Sequence, residues 1–281
     1  MLSLETSFEY NQKLTKEYAK TFYFSLSFLK KEKRQDIYAI YGFCRYSDNM
    51  VDDESDLDKA SKDLENWRKL LEIGLEKGDS DDIVLKSFIY VVKKYNIEAK
   101  LAFELLDGME MDLKQSRFQT FEELQHYCYL VASVPGLLVL NILGFEGGQK
   151  TVEYASKLGE AMQLTNILRD IKEDYGLGRI YLPQTDLKKH SIEDQDFKAG
   201  KINQKFENLI QNYIKIAKSF YSESQKGIPN LSSDARFVVK IASVLYSNIL
   251  VKIQKNNYDV FTKRISLSIW EKFWLTFKTL F

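Results

Sequence analysis

Apolar residues recur at three- and four-residue steps along most of this chain, which is the period of an amphipathic α-helix. Between residues 36 and 50 this repeat is formed by Ile37, Ile40, Tyr41 and Cys44. The same period predicts further helices over residues 62–75, 83–95, 99–111, 121–143, 151–175, 203–224 and 235–254. Glycine or proline marks the breaks, and no linker is long enough to separate domains. We therefore predict a single all-α domain over residues 1–281.

Pro135 lies inside the apolar stretch of residues 127–143, next to Gly136. A proline in a helix interior removes one backbone hydrogen bond and kinks or breaks the helix, at a cost of ~3 kcal/mol unless it is compensated. The pattern leaves two interpretations open. One is a kink that turns backbone groups toward a cavity, and the other is a plain helix boundary at Ser133.

The composition is that of a globular protein, with 281 residues, 44% hydrophobic and 28% charged. The 40 basic and 40 acidic side chains cancel, which gives no support for a nucleic-acid partner. Cys44 and Cys128 lack the spacing of a disulfide framework or a zinc site, so free thiols in a reducing compartment are expected. The first residues show no signal-peptide pattern, and no run approaches the roughly 20 apolar residues of a membrane span. These features predict a cytoplasmic protein.

Two pairs of aspartates are each spaced by four residues, Asp48 with Asp52 and Asp170 with Asp174. Residues at i and i+4 share one face of a helix, so each pair presents its carboxylates from a single stripe. Asn166 extends the second pair into an unbroken row within an apolar helix. Carboxylate oxygens suit Mg²⁺, which also takes ligands from substrate phosphates. We expect the two rows to face each other across a bundle, although by spacing alone a solvated acidic helix end is the better explanation of the first pair.

Arg45 and Arg169 lie beside these rows and suggest that a phosphate is held there. Expulsion of a diphosphate from an allylic carbon needs Mg²⁺ at the leaving group and aromatic faces around the cation that remains. The aromatic residues of the candidate pocket helices include Phe22, Tyr41, Tyr129 and Tyr246. By periodicity alone, each of these is more simply explained as a core residue. No Gly-rich phosphate loop is present, which argues against a nucleotide-binding domain.

These motifs resemble those of the squalene/phytoene synthase family. The family's first aspartate-rich motif is similar to AIYGFCR at residues 39–45 followed by DNMVDD at residues 48–53. The second motif is similar to LTNILRD at residues 164–170, ED at residues 173–174 and GRIYLP at residues 178–183. The helix between the motifs resembles YCYLVA at residues 127–132. The resemblance extends from about Tyr18 to Arg264, which is nearly the whole chain.

The resemblance implies an isoprenoid-synthase helical bundle with a central cavity. It also implies a head-to-head condensation of two prenyl diphosphates through a cyclopropylcarbinyl diphosphate. By position, several Mg²⁺ ions would be held by Asp48, Asp52, Asn166, Asp170 and Asp174. Catalytic roles would fall to these aspartates, to Arg169, and to Tyr129 and Tyr246 as walls of the cation pocket. The implied substrate contacts are Tyr18, Lys20, Thr21, Phe22, Tyr41, Arg45, Gln163, Asn166, Arg169 and Tyr246. A downstream desaturase is an expected partner.

Family members make phytoene from C20 substrates, dehydrosqualene from C15 substrates, or squalene from C15 substrates with NADPH. Phe22 and Leu26 lie one turn apart and are candidates for the floor of the substrate tunnel, where larger side chains favour the shorter substrate. A composition rich in Lys, Asn and Ile also leads us to favour two farnesyl diphosphates and dehydrosqualene in carotenoid biosynthesis, without NADPH. Phytoene synthase and squalene synthase are alternatives, as is a non-catalytic assembly protein of the same fold. Residues 133–136 depart from the family's pattern and leave the local shape of the pocket open.

Residues 265–281 form an aromatic tail in which Trp270, Phe273, Trp274, Phe277 and Phe281 share one helical face. Aromatic amphipathic helices can lie in a membrane interface. Two interpretations stay open. One is peripheral contact with the inner face of the cell membrane, which suits a very apolar product. The other is docking of the tail onto the bundle.

Overall fold

A computed structural model describes residues 2–52 and 56–280, apart from the side chains of residues 52 and 280. Within these ranges the chain forms fourteen α-helices, one π turn and one 3-10 turn, with two isolated backbone bridges and no strand. The all-α prediction is confirmed. The helices are α1 Leu4–Tyr18, α2 Lys20–Leu26, α3 Lys31–Asp52, α4 Leu57–Lys77, α5 Leu85–Lys94, α6 Lys100–Lys114, α7 Phe121–Cys128, α8 Val134–Leu143, α9 Gly148–Gly176, α10 Gln184–Lys189, α11 Asp194–Lys198, α12 Gln204–Ser224, α13 Ser233–Lys255 and α14 Ile269–Leu280.

The helices group into two compact units, each with its own buried core. The first unit consists of Met1–Lys114, Val134–Val152 and Pro229–Val239. The second consists of Gln115–Ser133, Glu153–Ile228 and Lys240–Phe281. The long helices α9 and α13 contribute residues to both units. The prediction of one domain with a central cavity stays a prediction.

Helix α3 is the central helix of the first unit and packs against α1, α4, α5 and α8. Its Phe43 ring stacks on Phe88, with 4.0 Å between centroids, and on Trp67 at 6.1 Å. Trp67 Nε1 donates a hydrogen bond to Ser47 Oγ at 2.9 Å. Because Phe43 and Ser47 face this core, helical periodicity turns Tyr41, Arg45 and Asp48 to the other side of α3.

Gly42, within the first aspartate-rich motif, allows α1 to approach α3 closely. A Cβ at this position would lie 1.9 Å from Asn11 Oδ1 and 2.8 Å from Asn11 Cβ. The Asn11 side chain can move away only at the expense of its hydrogen bonds, because its amide donates to Val84 O at 3.2 Å and to Ser87 Oγ at 2.8 Å. This residue of the motif therefore has a packing role.

The segment that follows α9 is anchored in the core of the second unit. The rings of Phe118, Tyr127 and Tyr181 stack with centroid separations of 5.1 to 5.9 Å. Ile180 forms a parallel bridge with Arg117, whose guanidinium donates to Gly178 O at 2.6 Å. The GRIYLP part of the second motif thus holds the chain just after the carboxylate row.

The helix between the motifs contains a π turn, Tyr129–Ser133, and α8 begins at the next residue, Val134. Pro135 is the second residue of α8. A π turn shifts the hydrogen-bond ladder, and the first turn of the helix that follows tolerates a proline, since its N–H has no required partner there. The sequence leaves open a kink or a plain helix boundary at Ser133, and in the structure the helix changes from π to α type after Ser133 and continues to Leu143 without a break.

Two helices of the described residues reach the length and mean hydropathy of a membrane span, Phe121–Leu143 and Ser233–Lys255. The expectation from the sequence that no stretch approaches the length and hydropathy of a membrane span is therefore wrong for these two helices. About half of each stretch is buried, 56% and 44% respectively, and core helices of globular proteins pass the same test.

Candidate functional site

The first cluster lies on α3, at the face turned away from the core of the first unit. Arg45 Nη1 donates to Asp48 Oδ2 at 2.5 Å, one helical turn apart. The guanidinium of Arg45 also lies 4.4 Å from the centroid of the Tyr18 ring. Both side chains of the ion pair are about one quarter to one third exposed, 24% and 35%, so their charges are open to solvent and to a ligand.

Four of the predicted substrate contacts lie at the break between α1 and α2, and one of them, Tyr18, contacts Arg45. Tyr18 ends α1, while Lys20, Thr21 and Phe22 open α2. Lys20 is exposed and Thr21 and Phe22 are half-buried. The Phe22 ring lies 5.8 Å from that of Tyr41. The structure therefore brings Tyr18 beside Arg45 and Phe22 beside Tyr41, as the predicted grouping requires.

One donor of the first cluster is buried without a partner. Arg45 Nε has no hydrogen-bond partner among the residues that the structure describes. An unpaired buried donor on a cation is costly unless an anion completes it. Asp52 belongs to α3 by its backbone, but its side chain lies outside the described residues, as does Asp53, so its predicted ligand role stays a prediction.

The second cluster lies on α9, where the predicted row has the expected exposure. Asn166, Asp170 and Asp174 are half-buried, as is Gln163. The apolar residues between them, such as Ile167, are buried. Helix α9 is therefore amphipathic here: its apolar side chains form the packing surface, and its carboxylates lie on a different face. The polar row therefore lies on one partly exposed face of α9.

Asp170 is held by two arginines. Arg169 approaches with Nε at 2.8 Å and Nη2 at 2.5 Å, one nitrogen to each carboxylate oxygen. Arg264 repeats this bidentate arrangement at 2.9 and 3.1 Å. Burial by itself would raise the pKa of Asp170, but hydrogen bonds and charge from Arg169 and then Arg264 outweigh it and the pKa is lowered. The carboxylate is therefore ionised throughout the neutral range.

Arg264 is a site residue that sequence reasoning missed. It lies in the loop between α13 and α14, 94 residues after Asp170, and its Nε is also 3.4 Å from Glu173 Oε2. No spacing rule connects a lone arginine in a loop to a helical row so far away. The signal that was present is only its position at the end of the region that resembles the family.

Two tyrosines lie in the electrostatic range of the same cluster. Burial raises the pKa of Tyr246, and the charges of Arg169, Asp170 and Arg264 act on its phenol in opposite directions. Burial also raises the pKa of Tyr221, whose hydroxyl lies 3.0 Å from Thr165 Oγ1. Both phenols are therefore neutral at physiological pH. Tyr246 was predicted at this site, whereas Tyr221 and Thr165 were not, because their periodicity is that of ordinary core positions.

The second row fits a divalent cation in one specific respect. Asn166 Nδ2 donates to Gln163 Oε1 at 3.3 Å, but the buried Asn166 Oδ1 has no partner among the described residues. This leaves an oxygen ligand available next to the Asp170 and Asp174 positions. Among the described side chains, which do not include that of Asp52, no three His, Cys, Asp or Glu residues gather closely enough to form a metal centre. The magnesium prediction stays a prediction.

Tyr129, the remaining predicted catalytic residue, begins the π turn and is half-buried. The turn packs tightly on α9 of the same unit. Ser133 Oγ donates to Ser156 O at 2.6 Å, and a Cβ on Gly159 would lie 2.5 Å from Ser133 Cα. π turns are frequent at functional sites, so Tyr129 is placed by an unusual and closely packed backbone segment.

Together these features define an all-α protein whose helices carry carboxylate rows with arginines bound to them. The chain belongs to the squalene/phytoene synthase family, whose model matches residues 15–271. Chloroplastic phytoene synthase of Daucus carota is 40% identical over 253 residues, covering 88% of this chain and 63% of that protein. The chain thus spans less than two thirds of such plant relatives. The 15-cis-phytoene synthase of Synechococcus elongatus is 35% identical over 283 residues, covering 97% and 92%.

The solved structures agree on the fold. A dehydrosqualene synthase in complex with a ligand superposes with a TM-score of 0.92 at 31% identity, covering 99% of this chain and 96% of that one. Squalene synthase HpnC from Alicyclobacillus acidocaldarius reaches a TM-score of 0.83 at 22% identity and supports the fold alone. The predicted fold class is confirmed.

Proposed function

We propose that this protein catalyses the magnesium-dependent, head-to-head condensation of two geranylgeranyl diphosphates to phytoene. The observation that carries the proposal is the pairing of each motif's aspartate with arginines, Arg45 with Asp48 and Arg169 with Asp170, in a chain of this family. Such pairs supply both kinds of charge that a metal diphosphate needs. The 15-cis-phytoene synthase of Synechococcus elongatus is matched over 92% of its length.

The choice of product differs from the one favoured by the sequence. Composition and the size of Phe22 and Leu26 favour farnesyl diphosphate and dehydrosqualene. The relatives that are 35 to 40% identical are phytoene synthases, and the dehydrosqualene synthase structure is 31% identical. Phytoene is therefore the better-supported product, and dehydrosqualene becomes the alternative. Leu26 is almost fully buried, which fits a position at the bottom of a tunnel but does not by itself select a chain length.

Asp48, Asp52, Asn166, Asp170 and Asp174 would hold the magnesium ions. When bound, the metal neutralises the charge that develops on the departing diphosphate. The chain's own contribution begins with Arg45, whose Nε has no partner among the described residues and could donate to a phosphate oxygen. Arg169 and Arg264 keep Asp170 ionised, and their bidentate geometry suits phosphate as well as carboxylate. On substrate binding, these arginines would therefore exchange a carboxylate partner for a phosphate, without any change in their own charge.

The aromatic residues would stabilise the allylic cation after diphosphate leaves. Tyr246 and Tyr221 are neutral at physiological pH, as a tyrosine with the ordinary pKa of about 10 already is, and burial raises their pKa values further, so their rings would present uncharged faces to the cation. Such faces attract a cation at about 0.5–2 kcal/mol each. Tyr129, at the π turn, would contribute a further face.

The proposal is tested by product analysis. Purified full-length protein is incubated with MgCl₂ and either C15 or C20 prenyl diphosphate, with and without NADPH, and the hydrocarbon is identified by mass spectrometry. We expect phytoene from the C20 substrate and no effect of NADPH. A C30 product as the main hydrocarbon would overturn the substrate assignment. If neither substrate gave a hydrocarbon, the enzymatic function would be wrong and the non-catalytic alternative would replace it.

Because the product would be a hydrocarbon, we also propose that the protein works in the cytoplasm at the inner face of the cell membrane. A downstream desaturase would then take up the product from the same surface. Pull-down of a desaturase from membranes, compared with the same experiment in detergent-free cytosol, tests this part.

A further inference from the structure

Helix α14 presents its largest apolar side chains to solvent. Trp270 is 79% exposed, Trp274 60%, Phe277 62% and Phe273 53%. Their spacing of three and four residues places all four on one face of the helix. A surface helix of a globular protein normally turns such a face inward. This arrangement is the reverse of the usual one.

The opposite face of α14 is fixed to the second unit, so the aromatic face is held outward. Lys272, Leu275 and Thr276 are buried. At the start of the helix, Glu271 accepts from Lys252 Nζ at 2.9 Å and from Ser268 N at 2.6 Å. These contacts set the rotation of α14 about its own axis. The helix docks onto the second unit, as one of the two interpretations of the tail has it, and at the same time exposes its aromatic side chains.

A lysine-lined groove runs beside the aromatic face. The cavity between the end of α13 and α14 has a volume of about 340 Å³. Its lining includes Lys252, which pairs with Glu271 of the same lining at 2.9 Å, together with Lys255, Asn248 and Asn256. Trp274 also lines it and belongs to the aromatic face. Lys278 Nζ lies 5.3 Å from the Trp274 ring centroid. Apolar and cationic groups therefore meet at one place.

The charge of this region differs from that of the whole chain. Residues 248–281 contain six basic and two acidic side chains, whereas the complete chain has a formal charge of zero. Lys252 pairs with Glu271, Arg264 pairs with Asp170 and Lys272 is buried, so Lys255 and Lys278 supply the positive charge beside the aromatic face. A second copy of this surface would carry the same positive charge and repel the first. An anionic bilayer offers the complementary charge, and its interface is where Trp and Phe side chains are most favourably placed.

We propose that the aromatic face of α14 and the adjoining lysine groove form a docking surface for anionic phospholipid membranes. Trp270, Phe273, Trp274 and Phe277 enter the interface, while Lys255 and Lys278 contact headgroup phosphates. The surface uses none of the residues assigned to condensation, so the proposal stands or falls separately from the proposed chemistry.

The test measures binding of the full-length protein to vesicles by sedimentation. Vesicles of phosphatidylcholine alone are compared with vesicles containing equal parts of phosphatidylglycerol and phosphatidylcholine. We expect binding to the anionic vesicles together with a blue shift of tryptophan emission, since two of the three tryptophans are exposed and Trp67 is buried. The double substitution Trp270→Ser with Trp274→Ser should reduce the affinity at least tenfold.

Two further variants separate this surface from general stickiness and from charge alone. Leu70→Ser with Ile73→Ser removes exposed apolar side chains from α4 and should leave binding unchanged. Lys255→Ala and Lys278→Ala should each reduce binding to anionic vesicles on the order of fivefold, and added salt should do the same. Condensation activity with detergent-dispersed substrate should stay unchanged in all of them.

Absence of binding to the anionic vesicles would overturn the proposal. Equal binding to neutral vesicles would also overturn it, because the lysines would then have no role. A concentration-dependent dimer that is lost in the Trp270→Ser, Trp274→Ser variant would assign the surface to a second copy instead.

Discussion

The two carboxylate rows share one spacing but have different electrostatic surroundings. Asp48 on α3 is 35% exposed and pairs with Arg45 Nη1 at 2.5 Å. Asp170 on α9 is 14% exposed and is held by Arg169 and Arg264 through both of its oxygens. An exposed pair contributes little to stability, whereas a buried charge is costly when its partner is removed. The same spacing therefore places one carboxylate in a solvent-exposed ion pair and the other in a largely buried one, and we expect the loss of Asp170 to cost more stability than the loss of Asp48.

The largest expected effect is on catalysis and is common to both rows. Asp48→Asn and Asp170→Asn should each lower the turnover of the proposed condensation about 10³-fold, because each removes a charge that stabilises the leaving diphosphate. Asp107→Asn is the matched control, since Asp107 also pairs with an arginine, Arg68 at 2.6 Å, away from both rows. Activity of the Asp170→Asn variant near that of the wild type would remove the second row from the mechanism.

The next effect is on stability and compares two glycines, Gly42 in α3 and Gly159 in α9, that allow close packing of the helices that carry the two rows. Gly159→Ala should lower the free energy of unfolding by about 3 kcal/mol, because the new Cβ would meet the backbone of Ser133. Gly42→Ala should cost about 1–2 kcal/mol, since the obstacle is the Asn11 side chain, which can shift at the expense of its hydrogen bonds.

Urea unfolding monitored by circular dichroism measures both changes. Gly136→Ala is the control, because a Cβ at this position would have no neighbouring atom within 4 Å and alanine favours a helix. Equal losses at Gly42 and Gly159 would contradict the difference between backbone and side-chain obstacles.

A third comparison uses stability alone. Asp170→Asn should destabilise the protein by about 2 kcal/mol, because Arg169 would keep a buried charge without its carboxylate. Asp48→Asn should cost less than about 1 kcal/mol, because its ion pair is open to solvent. Thermal or urea unfolding of both variants in the absence of magnesium provides the measurement. A larger loss for Asp48→Asn would reverse the account of the two rows.

The smallest expected effect concerns pH. The pKa of Asp170 is lowered in the folded protein, so its ionisation contributes stability above the unfolded pKa of an aspartate. That contribution is lost as the pH falls through the lower, folded pKa. Arg264→Leu should raise the folded pKa and start the acid loss at higher pH, with about 0.5–1 kcal/mol less stability at pH 7.

Unfolding curves over a pH series test this shift, and Lys263→Leu, which removes a neighbouring positive charge, is the control. Coincident acid transitions for Arg264→Leu and the wild type would show that Arg264 does not set the ionisation of Asp170.

Much of the fold follows from sequence because it depends on local period. The stripes that predict α3 and α9 also place their polar rows, and an i,i+3 contact such as Arg45 with Asp48 follows from helix geometry alone. Arg264 could not be found this way, because it reaches Asp170 from a loop whose path is set by tertiary packing. The π turn at Tyr129 was also hidden, since its period differs from an α-helix by a single residue. The outward orientation of the aromatic face of α14 depends on the contact between Lys252 and Glu271. These residues lie in different helices, so the period of either helix could not predict their contact.

The central claim is that carboxylates of both rows bind magnesium together with a diphosphate. Isothermal titration of the full-length protein with MgCl₂, in the presence of a non-hydrolysable prenyl diphosphate analogue, tests it most directly. We predict binding of more than one magnesium ion per chain, with fewer ions bound by both Asp48→Asn and Asp170→Asn than by the Asp107→Asn control. Unchanged magnesium stoichiometry and affinity in either row's variant would contradict the claim.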